Sequence, residues 1–84
     1  MKNKVLIELI VPSIDEKYDI FIPVNLKVGE IINLINKSLK ELNYGLYQSD
    51  IKRSLYDCSS GNNFSLNELI INTNIRNGSK LLLI

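Results

Sequence analysis

The stretch YDIFIPVNLKVGEIINLI, residues 18–35, contains a change of hydrophobic period that decides the fold. Before Pro23, apolar side chains alternate with other residues, which is typical of a β-strand with one buried face. The inward residues of this strand are Tyr18, Ile20 and Ile22. Proline cannot donate to a β-ladder, so Pro23 ends the strand. From Val28 the apolar period becomes about 3.6, so the pattern predicts a strand followed by an amphipathic helix.

The predicted helix runs from Val28 to Leu42. Its apolar stripe consists of Val28, Ile31, Ile32, Ile35, Leu39 and Leu42. Glu30 near the start and Lys40 near the end suit the helix dipole. Asn43-Tyr44-Gly45 follows and is typical of a helix end. One face of this helix is therefore expected to cover a sheet.

A second strand is predicted on the N-terminal side, over Lys4–Val11, which is rich in branched aliphatic residues and ends at Pro12. Its polar residues, Lys4 and Glu8, both fall on even positions. The inward residues are then Val5, Ile7, Leu9 and Val11, and Leu6 and Ile10 point outward. Residues 12–15 supply turn residues, so this strand and the strand over 16–22 are predicted to form a hairpin.

The pattern after the helix is weaker. A polar loop leads to a short predicted strand around 53–58 and a turn over 59–63. Ser65-Leu66-Asn67-Glu68 fits a capping box and predicts a short helical turn after it. Asn77-Gly78 predicts a tight turn, and residues 80–84 form the last predicted strand.

This order of elements predicts an α+β domain with a mixed sheet of four to five strands and one helix across one face. It is the β-grasp arrangement of ubiquitin, in which the terminal strand runs parallel beside the first strand in the middle of the sheet. Leu81 and Leu83 would then face the helix. We expect residues 1–84 to form one such ubiquitin-like domain, because a chain of this length builds only one compact core.

Several kinds of chemistry are disfavoured by composition. The chain contains no His, and Cys58 is its only cysteine, which excludes zinc-finger and Cys-His nucleophile patterns. Cys58 is expected to be a small packing residue. The four glycines are isolated and form neither a phosphate loop nor a dinucleotide fingerprint. We therefore expect no enzyme activity, no cofactor, no metal and no small-molecule substrate.

Charge and hydropathy restrict the partners. The net charge is +1 and the ten basic residues are dispersed, which argues against nucleic-acid binding. The longest apolar runs contain four residues, whereas a membrane span needs about 20. The N-terminus lacks the apolar core of a signal peptide. These features predict a cytoplasmic protein that does not insert into a membrane.

The C-terminal residues bear on the mode of action. Ubiquitin-like modifiers and sulfur carriers act through a flexible tail ending in Gly-Gly, whereas Ile84 lies in a predicted strand. We therefore expect non-covalent binding. A modifier or sulfur carrier, and a ubiquitin-like adaptor of an unrelated complex, remain as alternatives.

Three segments carry a family resemblance: YDIFIPV at Tyr18–Val24, LKVGEIINLI at 26–35 and IRNGSKLLLI at 75–84. With the chain length, they resemble the YukD-like small ubiquitin-like proteins associated with type VII secretion in Gram-positive bacteria. The resemblance implies an accessory or regulatory protein, peripheral to a membrane complex that exports WXG100-type proteins. Its implied partners are cytoplasmic domains of membrane components of that complex, or further copies of itself.

A candidate interaction surface follows from the alternation of the strands. The outward face of the sheet is expected to carry Leu6, Ile10, Phe21, Tyr56, Leu82 and Ile84. A sheet with one covered face usually has polar residues on the other, so an apolar cluster there indicates a binding surface. Two alternatives remain: loops 12–15 or 43–52 could cover the patch, or a register shift of one residue could exchange the two faces.

Overall fold

The computed structural model describes residues 3–43, 46–48 and 51–84. Within these ranges the chain forms four strands and one α-helix. In chain order they are β1 (Lys4–Val11), β2 (Glu16–Pro23), α1 (Val28–Leu42), β3 (Leu55–Asp57) and β4 (Lys80–Leu83). Single 3₁₀ turns lie at Pro12–Ile14 and Ile70–Asn72.

The sheet has the strand order β2-β1-β4-β3. β1 pairs antiparallel with β2 and parallel with β4, and β3 pairs antiparallel with β4. The last strand therefore lies in the interior of the sheet beside the first, and the predicted mixed β-grasp sheet with one helix is confirmed.

The core lies between the sheet and α1, where the sequence pattern predicted it. Ile7 and Leu9 of β1 are 1% exposed, and Leu81 and Leu83 of β4 are fully buried. The buried residues of α1 are Val28, Ile31, Ile32, Ile35 and Leu39. Phe64, Ile70 and Ile75 from the long connection between β3 and β4 complete the core. These residues hold the connection against the two-layer body by apolar burial.

The end of α1 differs in one residue from the predicted stripe. Leu42 has the correct angular position but is 63% exposed, because it lies in the last turn, at a groove beside β2. Asn43 ends the helix: its backbone N–H and its side-chain Nδ2 both donate to the Leu39 carbonyl. Tyr44 and Gly45, the rest of the predicted stop, lie outside the described residues.

The backbone N–H groups at the start of α1 donate to carbonyls of a distant segment and to one side chain. The Glu30 carboxylate accepts a hydrogen bond from the Lys27 N–H at 3.1 Å. The Val28 N–H donates to the Glu68 carbonyl, and the Gly29 N–H donates to the Leu66 carbonyl at 3.0 Å. These contacts supply acceptors to donors that a helix start otherwise leaves unpaired.

The prediction of a capping box at Ser65 to Glu68 is wrong. The Glu68 N–H donates to the Ser65 carbonyl at 3.2 Å in a turn, and no helix begins there. The Leu66 and Glu68 carbonyls are instead bonded to the start of α1. The helical turn predicted after this segment begins later, at Ile70, and is a 3₁₀ turn.

The segment around β3 also differs from its prediction. The strand begins at Leu55, and Arg53 is buried with its guanidinium 4.5 Å from the centre of the Tyr47 ring. Burial raises the pKa of Tyr47, and the charge of Arg53 opposes that rise. Cys58 is exposed, so its predicted packing role is wrong.

Asp57 organises the predicted turn that follows β3. Its carboxylate accepts a hydrogen bond from the Ser60 hydroxyl at 2.8 Å, and its backbone carbonyl accepts one from the Gly61 N–H. The hydrogen bond from Ser60 is the main reason that the pKa of Asp57 lies below its ordinary value. The ionised carboxylate therefore stabilises the turn.

The predicted turn at Asn77-Gly78 is present and fixes β4 against β1. Gly78 has φ +88°, and the Ser79 N–H donates to the Arg76 carbonyl. The Asn77 side-chain oxygen accepts from the Leu6 N–H, and the Gly78 N–H donates to the Leu6 carbonyl, both at 2.8 Å. The turn thus continues the parallel pairing of the two central strands.

Gly78→Ala is expected to lower the free energy of unfolding by about 1 kcal/mol, because a Cβ is strained at this positive φ. Gly78→Asn is the matched control, since asparagine tolerates the left-handed region and should lose less. Urea denaturation of both variants measures the difference. Equal losses in the two variants would contradict the conformational explanation.

Candidate interaction surface

All six residues predicted for the interaction surface lie on the sheet face opposite α1. Leu6 pairs with Phe21, Ile10 pairs with Leu82, and Leu82 pairs with Tyr56, so these five residues share one face. Ile84 follows Leu82 by alternation, and its backbone exchanges hydrogen bonds with Ser54. The residues of β1 that were predicted to point inward include Ile7, Leu9 and Val11, and these three are buried. The predicted inner and outer faces of the sheet are therefore correct, and a register shift of one residue is excluded.

The exposure of these side chains differs. Phe21 is 52% exposed, Ile84 49% and Leu6 39%. Ile10, Tyr56 and Leu82 are half-buried by their neighbours in the sheet. A partner could therefore bury further apolar area on this face without any change of the backbone.

The register divides the six residues into two groups. Leu6 and Phe21 form one apolar pair, here called the hairpin pair. At the other end lies the terminal cluster, which consists of Ile10, Tyr56, Leu82 and Ile84. The predicted patch is therefore not continuous.

A row of charged residues separates the two groups. Glu8 lies between Asp19 of β2 and Lys80 of β4 and is the cross-strand neighbour of both. We call these three residues the charged row. It is acidic toward β2 and basic toward β4, so a partner that covers the whole face must match this order of charges. The row was not predicted from the sequence because its members are adjacent only once the register of three strands is known.

A second surface that the sequence did not predict is a groove between β2 and α1. Its volume is about 280 Å³ and its lining is mostly apolar. Leu34 and Leu42 of α1, which are 52% and 63% exposed, lie on its helix side, and Tyr18 and Ile20 lie on its strand side. The sequence indicates this groove only through Leu34, an apolar residue of the helix that lies outside the predicted stripe.

Neither surface carries the groups of a metal centre. Within residues 3–43, 46–48 and 51–84, no three His, Cys, Asp or Glu side chains come together in a way that could hold a metal ion. The same described ranges include no helix with the length and apolar character required to span a membrane. Both surfaces offer shape and apolar area, and the sheet face adds a few charges. These properties suit the binding of another macromolecule.

Comparison of the sequence with known proteins finds no family. No protein-family model matches the chain, and no curated protein is detectably similar to it in sequence.

Comparison of the structure finds many similar folds. The ubiquitin-like domain of the Mycobacterium tuberculosis type VII secretion system protein EccD1 matches with a TM-score of 0.72 at 12% identity, over 96% of this chain and 97% of that one. The fold is ubiquitin-like. A chain of the MycP5-free ESX-5 inner membrane complex matches 98% of this chain with a TM-score of 0.71 at 11% identity. The present chain spans only 21% of that longer chain.

The same ubiquitin-like fold occurs in a different setting. A chain of the toluene 4-monooxygenase HD complex has a TM-score of 0.77 at 6% identity and is covered over 95% of its length. Because secretion and oxygenase complexes both contain this fold, the fold alone does not determine the function.

Proposed function

We propose that this chain is a YukD-like, non-enzymatic accessory or regulatory protein of a Gram-positive type VII secretion system that exports WXG100-type proteins. It acts by non-covalent binding to a cytoplasmic domain of a membrane component of that system. The fold shared with the ubiquitin-like domain of EccD1 supports this proposal, as do the three sequence segments that resemble YukD-like proteins.

The observation that carries the binding role is the terminal cluster on the open face of the sheet. An antiparallel or mixed sheet with one solvent-facing side normally presents polar residues there. Here Ile10, Leu82 and Tyr56 follow one another across three neighbouring strands. Ile84, directly after β4, extends the cluster and is 49% exposed.

The charged row gives the surface an orientation. Asp19 and Glu8 place two carboxylates toward β2, and Lys80 places an ammonium toward β4. A partner with an apolar contact for the terminal cluster and an acidic group near Lys80 would bind in one orientation. Such charges contribute to specificity and to the rate of association, while the apolar contacts provide most of the affinity.

Affinity capture from the native cell tests the proposal. Tagged wild-type chain is expected to recover a membrane component of a type VII secretion system, identified by mass spectrometry. Ile84→Asp should reduce that recovery because it places a carboxylate within the terminal cluster. Leu46→Asp is the matched control, since Leu46 is 81% exposed and lies outside the sheet.

Two results would contradict the proposal. Wild-type chain that recovers no secretion component would remove the assignment to the system. Equal recovery by Ile84→Asp and Leu46→Asp, with unchanged circular dichroism spectra, would remove the terminal cluster as the binding surface.

A further inference from the structure

β2 forms one edge of the sheet, so half of its backbone groups face no neighbouring strand in the described part of the chain. In an antiparallel ladder, alternate residues direct their N–H and C=O groups to the same neighbour. The Val24 N–H donates to the Asn3 carbonyl at 2.9 Å, so the even-numbered residues of β2 bond to β1. The outward N–H and C=O groups therefore belong to Lys17, Asp19 and Phe21.

The other side of β1 gives the same assignment. The Glu8 N–H donates to the Ser79 carbonyl at 2.9 Å, so the even-numbered residues of β1 bond toward β4. Its odd-numbered residues bond toward β2, where Ile7 faces Ile20. The free edge ends at Pro23, which has no N–H to donate.

The groove between β2 and α1 lies directly beside this free edge. The side chains of Tyr18 and Ile20 point to the helix side of the sheet and are half-buried. Leu34 and Leu42 are large apolar side chains that remain exposed across the groove. A strand added to the edge would cover this apolar surface and also pair with the free backbone groups.

The charges on β2 define which strand fits. Lys17 and Asp19 are exposed on the open face, two residues apart. Asp19 faces the carboxylate of Glu8 across the ladder and faces no basic residue there. An added antiparallel strand would relieve this like-charge pair if it placed a cation opposite Asp19 and an anion opposite Lys17.

We propose that the occupant is β2 of a second copy of this chain, paired antiparallel about a two-fold axis at Tyr18. This register places Lys17 opposite Asp19 of the second copy, and Asp19 opposite Lys17 of the second copy. Both pairs use residues whose outward N–H and C=O groups meet no neighbouring strand among the residues that the structure describes. A register centred on Asp19 would instead oppose two carboxylates, so charge selects the first register.

The same dimer also brings together the apolar grooves of the two copies. With the sheet continuous across the axis, both helices lie on one side, and their grooves face each other over the two Tyr18 side chains. Leu34 and Leu42 from each copy then become part of a shared apolar surface. The contact is self-complementary, as a two-fold interface requires. It shares Asp19 with the charged row but no residue with the terminal cluster, which carries the proposed function. Its failure would therefore leave the binding role of the terminal cluster untouched.

The oligomeric state of the purified chain tests this proposal. Sedimentation equilibrium from micromolar to millimolar concentration is expected to show a reversible monomer–dimer equilibrium for the wild type. Lys17→Glu and Asp19→Lys should each weaken dimerisation by at least about tenfold, because each creates two like-charge contacts across the axis. An equimolar mixture of the two variants should recover dimerisation. In the mixed dimer the introduced glutamate faces the introduced lysine, and the native Asp19 of one copy faces the native Lys17 of the other.

Lys52→Glu is the matched control for Lys17→Glu, because it makes the same charge change at an exposed position outside the sheet. It is expected to dimerise like the wild type, and circular dichroism verifies that all variants are folded. A wild-type chain that stays monomeric at millimolar concentration would overturn the proposal and favour an extended segment of another protein at this edge. A dimer that tolerates both single variants, or that the mixture does not restore, would also overturn it.

Discussion

Leu81→Ala is expected to lower the free energy of unfolding by about 3 kcal/mol, whereas Leu82→Ala, one residue later, is expected to cost less than about 1 kcal/mol. The two residues lie on the same interior strand, and both substitutions remove the same atoms. Leu81 is fully buried in the core that the sheet shares with α1, and its cross-strand neighbour Leu9 is 1% exposed. Truncation there removes apolar burial and leaves a cavity in a close-packed core.

Leu82 differs because its side chain lies on the open face. It is half-buried by Ile10 and Tyr56 and lies on the face opposite α1, so neighbouring side chains and water can fill the space that truncation leaves. Urea denaturation followed by circular dichroism measures both variants. Similar losses for Leu81→Ala and Leu82→Ala would contradict the face assignment of β4, on which both the core and the candidate interaction surface depend.

The core could be predicted from the sequence because burial acts on one face of each element. In β1 the two polar residues, Lys4 and Glu8, share a parity, and this alone identified Ile7 and Leu9 as inward. The helix stripe was identified by its period in the same way. Such patterns are local, and the side chains follow the alternation of the backbone whatever the tertiary context.

The segments on either side of β3 were less predictable because their contacts depend on tertiary packing. Ser65 to Glu68 has the composition of a capping box, but the Leu66 and Glu68 carbonyls bond to the start of α1. Arg53 was expected near the start of a strand, yet it packs on the Tyr47 ring. Local propensity carries no information about either contact, since both depend on how separate segments pack.

The shared face of the six candidate residues could be predicted from the sequence, but their arrangement across it could not. Strand alternation placed all six residues on one face. The charged row between the two apolar groups depends on the pairing of Asp19, Glu8 and Lys80, which come from three different strands. The alternation of single strands therefore gives the face, and only the register gives the order of residues across it.

This arrangement leads to an expected difference between two truncations. Leu82→Ala is expected to weaken binding of the captured partner domain by more than about tenfold, because Leu82 is the centre of the terminal cluster and contacts near the centre of an interface contribute most. Leu6→Ala should weaken binding by less than about threefold, since the charged row separates the hairpin pair from that cluster. Isothermal titration calorimetry with the purified partner domain measures both.

The measured stability of the two variants is the control for this comparison of affinities. Both truncations remove the same atoms from the same sheet face, and Leu6, at 39% exposed, has no more burial to lose than the half-buried Leu82. If Leu82→Ala keeps nearly wild-type stability, as expected above, a loss of affinity cannot come from unfolding. Equal losses for the two variants would mean that the partner spans the charged row. An unchanged affinity for Leu82→Ala would contradict the terminal cluster as the binding surface, because the contacts that dominate an interface cluster near its centre.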